Sequence, residues 1–193
     1  MRPNDELATL LYGRAEEVAP RLLGCWLIKE IEGQRLIGRI VETEAYDQHD
    51  VASHSYRGQT PRTKVMFGPP GHLYVYFTYG MHYCCNVVCG PDGHGSAVLI
   101  RALEPLEGEG FMSKNRRGIS GLALANGPAK LCQALQIDKQ WNGHDLRKQP
   151  LQLIIKPPLA QARIVQATRV GISRGQDVPW RFYIKDNAYV SRI

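Results

Sequence analysis

The run Ile40-Val41-Glu42-Thr43-Glu44-Ala45-Tyr46 limits the possible folds more than any other stretch of the chain. Its β-branched and aromatic residues favour an extended strand, yet it places two carboxylates where a sheet would ordinarily be apolar. In a strand, Ile40, Glu42, Glu44 and Tyr46 share one face, and Val41, Thr43 and Ala45 share the other. Same-face neighbours stand about 6.6–6.8 Å apart. A ring can then stack on a planar ligand while the adjacent carboxylate reaches past the ligand's edge.

With 193 residues, 44% of them hydrophobic, the chain can bury one good core and is expected to form a single domain over 1–193. There is no apolar run of about 18 residues, and Met1-Arg2-Pro3-Asn4-Asp5-Glu6 lacks the hydrophobic segment of a signal peptide. An unexported, intracellular protein is expected, in the cytoplasm or nucleoid of a bacterium or the nucleus of a eukaryote. Cys25, Cys84, Cys85, Cys89 and Cys132 are odd in number, lack CxxC spacing and lie mostly in apolar segments, which suits reduced core thiols. Charge is unevenly placed: residues 1–110 carry 10 Lys and Arg against 14 Asp and Glu, residues 111–193 carry 14 against 4. The basic part suits a polyanion, since each phosphate neutralised releases counterions. A basic enzyme with scattered surface charge has the same composition.

Ala15 to Leu23 reads as a short helix ended by Gly24, with Pro20 tolerable only near the first turn. Cys25–Ile31 and Leu36–Tyr46 read as a hairpin around Glu32-Gly33-Gln34. From Asp47 to His72 runs a polar loop rich in Gly, Pro and Ser that carries His54, Arg57, Arg62 and Lys64; so long a loop suggests function. Leu73–Tyr79, Tyr83–Cys89 and Ser96–Leu103 form an expected antiparallel meander. Residues 107–121, with Lys114, Arg116 and Arg117, read as a mobile basic loop. A helix follows, with Asn126 as N-cap, Pro128 in the first position and a Leu131, Ala134, Leu135 stripe. Further strands are expected at 151–155, 163–172 and 180–184.

Several polar residues are out of place. Arg101 interrupts an apolar strand and needs an anionic partner, for which Glu42, Glu44 and Glu104 are available. Asn86, within Cys84-Cys85-Asn86-Val87-Val88-Cys89, must satisfy a buried amide. Tyr79 sits beside a glycine at a predicted hairpin tip, where a ring could wedge between base steps, whereas Tyr74 and Phe77 suit ordinary strand packing. Asp47, His49, Asp50 and His54 fit no standard metal-ligand spacing, and no metal site is expected. Nucleophile-elbow, P-loop and dinucleotide fingerprints are missing.

V-E-T-E-A-Y (41–46), the His54 loop with T-P-R (60–62), Y-V-Y-F-T-Y-G-M (74–81), Asn86, R-A-L-E-P-L-E-G (101–108) and N-G-P-A-K-L (126–131) together resemble the alkylpurine (3-methyladenine) DNA glycosylases of the human alkyladenine glycosylase type. The resemblance implies an α+β fold: a curved antiparallel sheet with flanking helices and a protruding hairpin that inserts into DNA. It also implies a monofunctional base-excision enzyme, a monomer acting on double-stranded DNA without cofactor or metal. Such an enzyme flips 3-methyladenine, 7-methylguanine, hypoxanthine or etheno-adenine out of the duplex and hydrolyses its N-glycosidic bond. By position, Glu44 would activate water, with Arg101 and His54 helping to place water and nucleotide. Tyr46 would form one wall of the base pocket, His54 and Tyr76 the other, and Asn86 would disfavour the exocyclic amino group of guanine. Tyr79, with Met81 beside it, would fill the gap left in the duplex, and Arg57, Arg62, Lys64, Arg116 and Arg117 would meet phosphates. Two alternatives stay open: a lesion-binding module that does not cut, and a nucleoside hydrolase acting on free small molecules.

Overall fold

Eight strands form one antiparallel sheet in the computed structural model, which describes residues 6–78 and 80–191. β1 (Trp26–Ile31) and β2 (Gln34–Tyr46) make a hairpin whose connection is only Glu32-Gly33, with φ of 50° and 71°. A two-residue loop with both φ positive matches the right-handed twist of the strands it joins. β3 (Leu73–Thr78), β4 (His82–Val88) and β5 (Ala97–Glu107) form the expected meander. β6 (Leu151–Ile154) edges β1, while β7 (Ile164–Ala167) and β8 (Arg181–Ile184) pair with each other. The order is β3-β4-β5-β2-β1-β6.

The 13-residue β2 organises this sheet. One edge pairs with β5 along most of its length; the other pairs first with β1 and then, at Glu42–Glu44, with β8. A strand that changes partner midway curls the sheet around itself. Four helices flank it: α1 (Glu6–Leu11), α2 (Ala15–Arg21), α3 (Glu109–Asn115) and α4 (Pro128–Ala134). α2 packs on β2, and α4 on β4 and β5. Between them lies a core that includes Leu22, Leu27, Ile40, Val41, Val87, Ile100, Leu103 and Leu131. All five cysteines are buried and unpaired. No helix among the described residues is long and apolar enough to cross a membrane.

The structure corrects several expectations. Residues 109–115 are helical, because Met112 is buried and Phe111 packs on the core, so this basic segment is anchored. Pro20 falls in the last turn of α2; the helix is short enough that the loss of one backbone donor does not prevent it. Gly127 caps α4, and Asn126 instead accepts a hydrogen bond from Lys130 Nζ at 2.7 Å. α1 was not foreseen. The strand expected at 163–172 stops at Ala167, and Arg169 and Val170 leave the ladder to bond to Asp50 and Glu44.

Gly108 joins β5 to α3 with φ of 78°, and a Cβ there would stand 2.5 Å from Leu36 Cδ2 and 2.7 Å from the Arg35 carbonyl oxygen. Both the conformation and the close approach demand glycine. Gly108→Ala is therefore expected to cost about 1–3 kcal/mol, read as a lowered urea midpoint with an unchanged slope.

Candidate active site

The Ile40–Tyr46 run departs from simple alternation. Ile40 pairs with Leu103, Glu42 with Ala102 and Thr43 with Ile100, so Val41 is an extra residue on β2 and Arg101 an extra residue on β5. Such offsets re-aim side chains. Ile40 and Val41 both join the core, contrary to the expected shared face of Ile40 and Glu42, while Glu44 and Tyr46 turn to a cavity of about 630 Å³. Arg101 reaches that cavity from its bulge.

Glu42 and Glu44 are both fully buried, and each carboxylate is satisfied. Glu42 Oε1 accepts from Arg101 Nε at 3.1 Å and Arg181 Nε at 2.7 Å, and Oε2 accepts from the Ser191 backbone N–H at 2.7 Å. Glu44 Oε1 accepts from the Val170 backbone N–H at 2.7 Å and lies 3.2 Å from Arg101 Nη1, and Oε2 accepts from the Tyr46 hydroxyl at 2.9 Å. A carboxylate offers about four lone-pair sites, and Glu44 spends three of them on these partners while bordering the cavity. Burial lowers the Arg101 pKa, but Glu44 and Glu42 more than offset it, and the net shift is upward. Glu104, the third partner foreseen for Arg101, instead binds Arg39 and Asn187.

Burial, reinforced by the Glu44 carboxylate, pushes the Tyr46 phenol well up, which keeps it a donor. The Arg169 guanidinium lies 4.9 Å from the Tyr46 ring centroid, between it and Trp180, and is held by Asp50 and the Ala45 carbonyl. It backs the ring without spending the carboxylate's remaining lone pair.

His54 joins the same cavity from the 47–72 loop. Its Nδ1 lies 3.0 Å from the Tyr74 hydroxyl, and its ring meets Tyr76 edge-on at 4.5 Å. Burial, with the Arg62 guanidinium nearby, pushes its pKa down to about 4, although the residue keeps exposed surface at the edge of the cavity. A neutral imidazole therefore lines the cavity at neutral pH. Asn86 donates Nδ2 to the Tyr74 carbonyl at 3.2 Å and also borders the cavity. Tyr74, read from sequence as packing alone, borders it too and anchors His54.

The remaining predicted residues spread over the surrounding surface. Arg57, Arg62 and Lys64 are exposed on the His54 loop, and Met81 is 67% exposed beside Gly80. Arg117 is exposed, whereas Arg116 is buried with Nε and Nη1 unpartnered. Tyr79 lies outside the described residues. The sequence reading missed Arg169, Arg181, Ser191, Val170 and Lys130. A lone arginine inside an apolar stretch, the signal that flagged Arg101, also marks Arg169; the backbone N–H of Val170 carries no sequence signal.

The sequence model of the methylpurine-DNA glycosylase family matches residues 10–188. A protein of Carboxydothermus hydrogenoformans, provisionally named 3-methyladenine DNA glycosylase, is 57% identical over 176 residues, covering 91% of this chain and 92% of its own. A like-named protein of Methanoculleus marisnigri is 53% identical over 178 residues, covering 91% and 92%. Another, from Francisella tularensis, is 44% identical over 191 residues, covering 97% and 99%.

A free imidazole titrates near 6.5 and His54 in the fold near 4, so between these values the unfolded chain binds more protons. His54 then contributes stability that is complete above about pH 6.5 and declines as pH falls towards 4. NMR titration should give its midpoint near 4, and between pH 7 and 4.5 His54→Gln should lose less stability than the wild type.

Proposed function

The chain belongs to the methylpurine-DNA glycosylase family and is a DNA glycosylase, and on that premise we propose that it flips alkylated or deaminated purines from duplex DNA and releases them with a water activated by Glu44. The single observation that carries this reading is the Glu44 carboxylate: buried, oriented by Arg101, Val170 and Tyr46, and set into the wall of an aromatic cavity. The lesion class comprises 3-methyladenine, 7-methylguanine, hypoxanthine and etheno-adenine, and residues 1–193 act as one glycosylase domain and as a monomer.

N3- or N7-alkylation makes a purine cationic and weakens its glycosidic bond. The rings of Tyr46 and Tyr76 hold such a base through their electron-rich faces, and neutral His54 adds no repelling charge. As the bond breaks, the sugar becomes oxocarbenium-like, and Glu44 both stabilises that cation and accepts a proton from the attacking water. Arg101 keeps the carboxylate aimed while Glu42 anchors Arg101 from behind. The product is free base and an abasic site. We assign to Asn86, whose amide donates to the Tyr74 carbonyl, the role of disfavouring the exocyclic amino group of guanine, a penalty that the weakened bond of cationic 7-methylguanine offsets.

Flipping costs a few kcal/mol, least at poorly paired lesions. We assign the compensating wedge to Tyr79 and Met81, which follow β3 in sequence, a role supported by the exposure of Met81 and of Phe77, 67% and 49%. Phosphate contact falls to Arg57, Arg62 and Lys64 beside His54 and to Arg116 and Arg117 beyond α3. Arg116 has the strongest physical claim among them. Its buried guanidinium has two unpartnered nitrogens, and its charge helps, after burial, to depress the Lys130 pKa at the cavity rim. Two neighbouring cations with no anion bonded to them among the described residues suit a DNA phosphate.

Glu44→Gln should slow release of 7-methylguanine from a lesion duplex by at least about 100-fold while binding to that duplex persists; free base and alkali-labile sites provide the readout. Undiminished release would remove Glu44 from the chemistry, and release from free nucleosides alone would favour the small-molecule reading. Arg116→Ala should weaken binding to damaged and undamaged duplex alike and reduce the salt slope by about 1, as measured by fluorescence anisotropy across salt concentrations.

A further inference from the structure

Asp47 directly follows β2, His49 lies two residues on, and His94 arrives from the distant turn between β4 and β5. We propose that these three residues form a binding site for one Zn²⁺ ion. Their ligand atoms all lie within 4.8 Å of one another. Of the four residues weighed from sequence, Asp50 is taken by Arg169 and His54 by the cavity; only the fold replaces them with His94.

The arrangement is held from behind. Asp47 Oδ1 accepts the His49 backbone N–H at 3.0 Å, which directs Oδ2 to within 2.7 Å of His94 Nε2. The His94 turn is fixed to the same loop by a hydrogen bond from the Gly95 N–H to Gln48 Oε1 at 3.0 Å, and it is closed further by the Gly93 N–H to the Phe67 carbonyl at 2.9 Å. The His49 and His94 rings are 5.7 Å apart and tilted by 57°. They are therefore near neighbours without being stacked. Supporting contacts of this kind orient metal ligands in general.

Bonds of about 2.0–2.2 Å around a tetrahedral ion put neighbouring ligand atoms about 3.3 Å apart. The Asp47–His94 pair would open by about 0.6 Å and the His49 nitrogen would close by at most about 1.5 Å, both within side-chain rotation. With Nε2 bound to the ion, a neutral imidazole carries its proton on Nδ1. Two imidazoles and one carboxylate suit Zn²⁺, with water as the fourth ligand. Mg²⁺ and Ca²⁺ prefer oxygen ligands, and thiolates, which would draw Cu(I), are absent from the cluster.

None of the three residues lines the cavity, so the ion is a tether and takes no part in the reaction. It would join the start of the 47–72 loop to the β4–β5 turn, and that loop carries Val51, Ala52 and His54 into the cavity. The inference does not rest on the proposed reaction.

The test is calorimetric titration of the chelator-stripped, reduced protein with Zn²⁺, together with Co²⁺ absorption. One equivalent should bind with tetrahedral Co²⁺ bands, and both His49→Ala and His94→Ala should lower the affinity at least 10-fold. His49 is exposed, so its variant should retain the wild-type circular dichroism spectrum and, in chelator, wild-type excision. Absence of stoichiometric binding, unchanged affinity in His49→Ala, or a thiolate-to-cobalt charge-transfer band would overturn the proposal.

Discussion

Glu42, Glu44, Arg101 and Arg181 form a buried cluster of two carboxylates and two guanidiniums on which the geometry of the cavity depends. Removing such charges from water costs several kcal/mol per ion, and only close pairing with further hydrogen bonds offsets it. Here the backbone N–H groups of Val170 and Ser191 supply those bonds. Two segments from the C-terminal part of the chain are thereby tied to the central strand. Loss of any member would unbalance the buried charge and change the contacts of those that remain, so the cluster behaves as a unit.

The paired bulges make this cluster compatible with a sheet. A regular ladder would set Arg101 in strict alternation with its neighbours; the extra residue on each strand lets it meet both Glu42 and Glu44 while Ile40 and Val41 stay in the core. The same offset gives the cavity its mixed character, with a charged floor from the bulged strands. Aromatic walls come from β2, β3 and the 47–72 loop. Arg169 braces Tyr46 from outside, and Tyr74 braces His54. Rigid support of this kind reduces the reorganisation needed when charge develops in a reaction.

The 47–72 loop is the element most dependent on its surroundings. Asp50 is held by Arg169, Ser55 donates to the Gly95 carbonyl at 2.7 Å, and Asp47 meets His94. The first tie comes from the segment after β7, the other two from the β4–β5 turn. The position of His54 thus depends on contacts from two separate parts of the chain and on Tyr74, and its low pKa follows from burial with Arg62 nearby.

Much of the architecture follows from local pattern alone. Alternating β-branched residues and the Glu32-Gly33 turn define the first hairpin, and the Tyr74–Tyr76 and Cys84–Val88 runs define the meander, because strand periodicity and turn chemistry act between near neighbours. Polar residues in apolar runs marked Glu44, Arg101 and Asn86, since an unpartnered buried polar group is too costly to be accidental. The tertiary structure decided what no local rule contains. It placed the bulges that turn Ile40 away from Glu42, chose Glu42 and Glu44 over Glu104 for Arg101, and brought Val170, Arg181 and His94 to residues more than 40 positions away. It also made a helix of residues 109–115, because a buried Met112 outweighs a basic, glycine-flanked sequence. Pairing across such separations depends on which surfaces the folded sheet brings together, and that choice is made by the whole core rather than by any one segment.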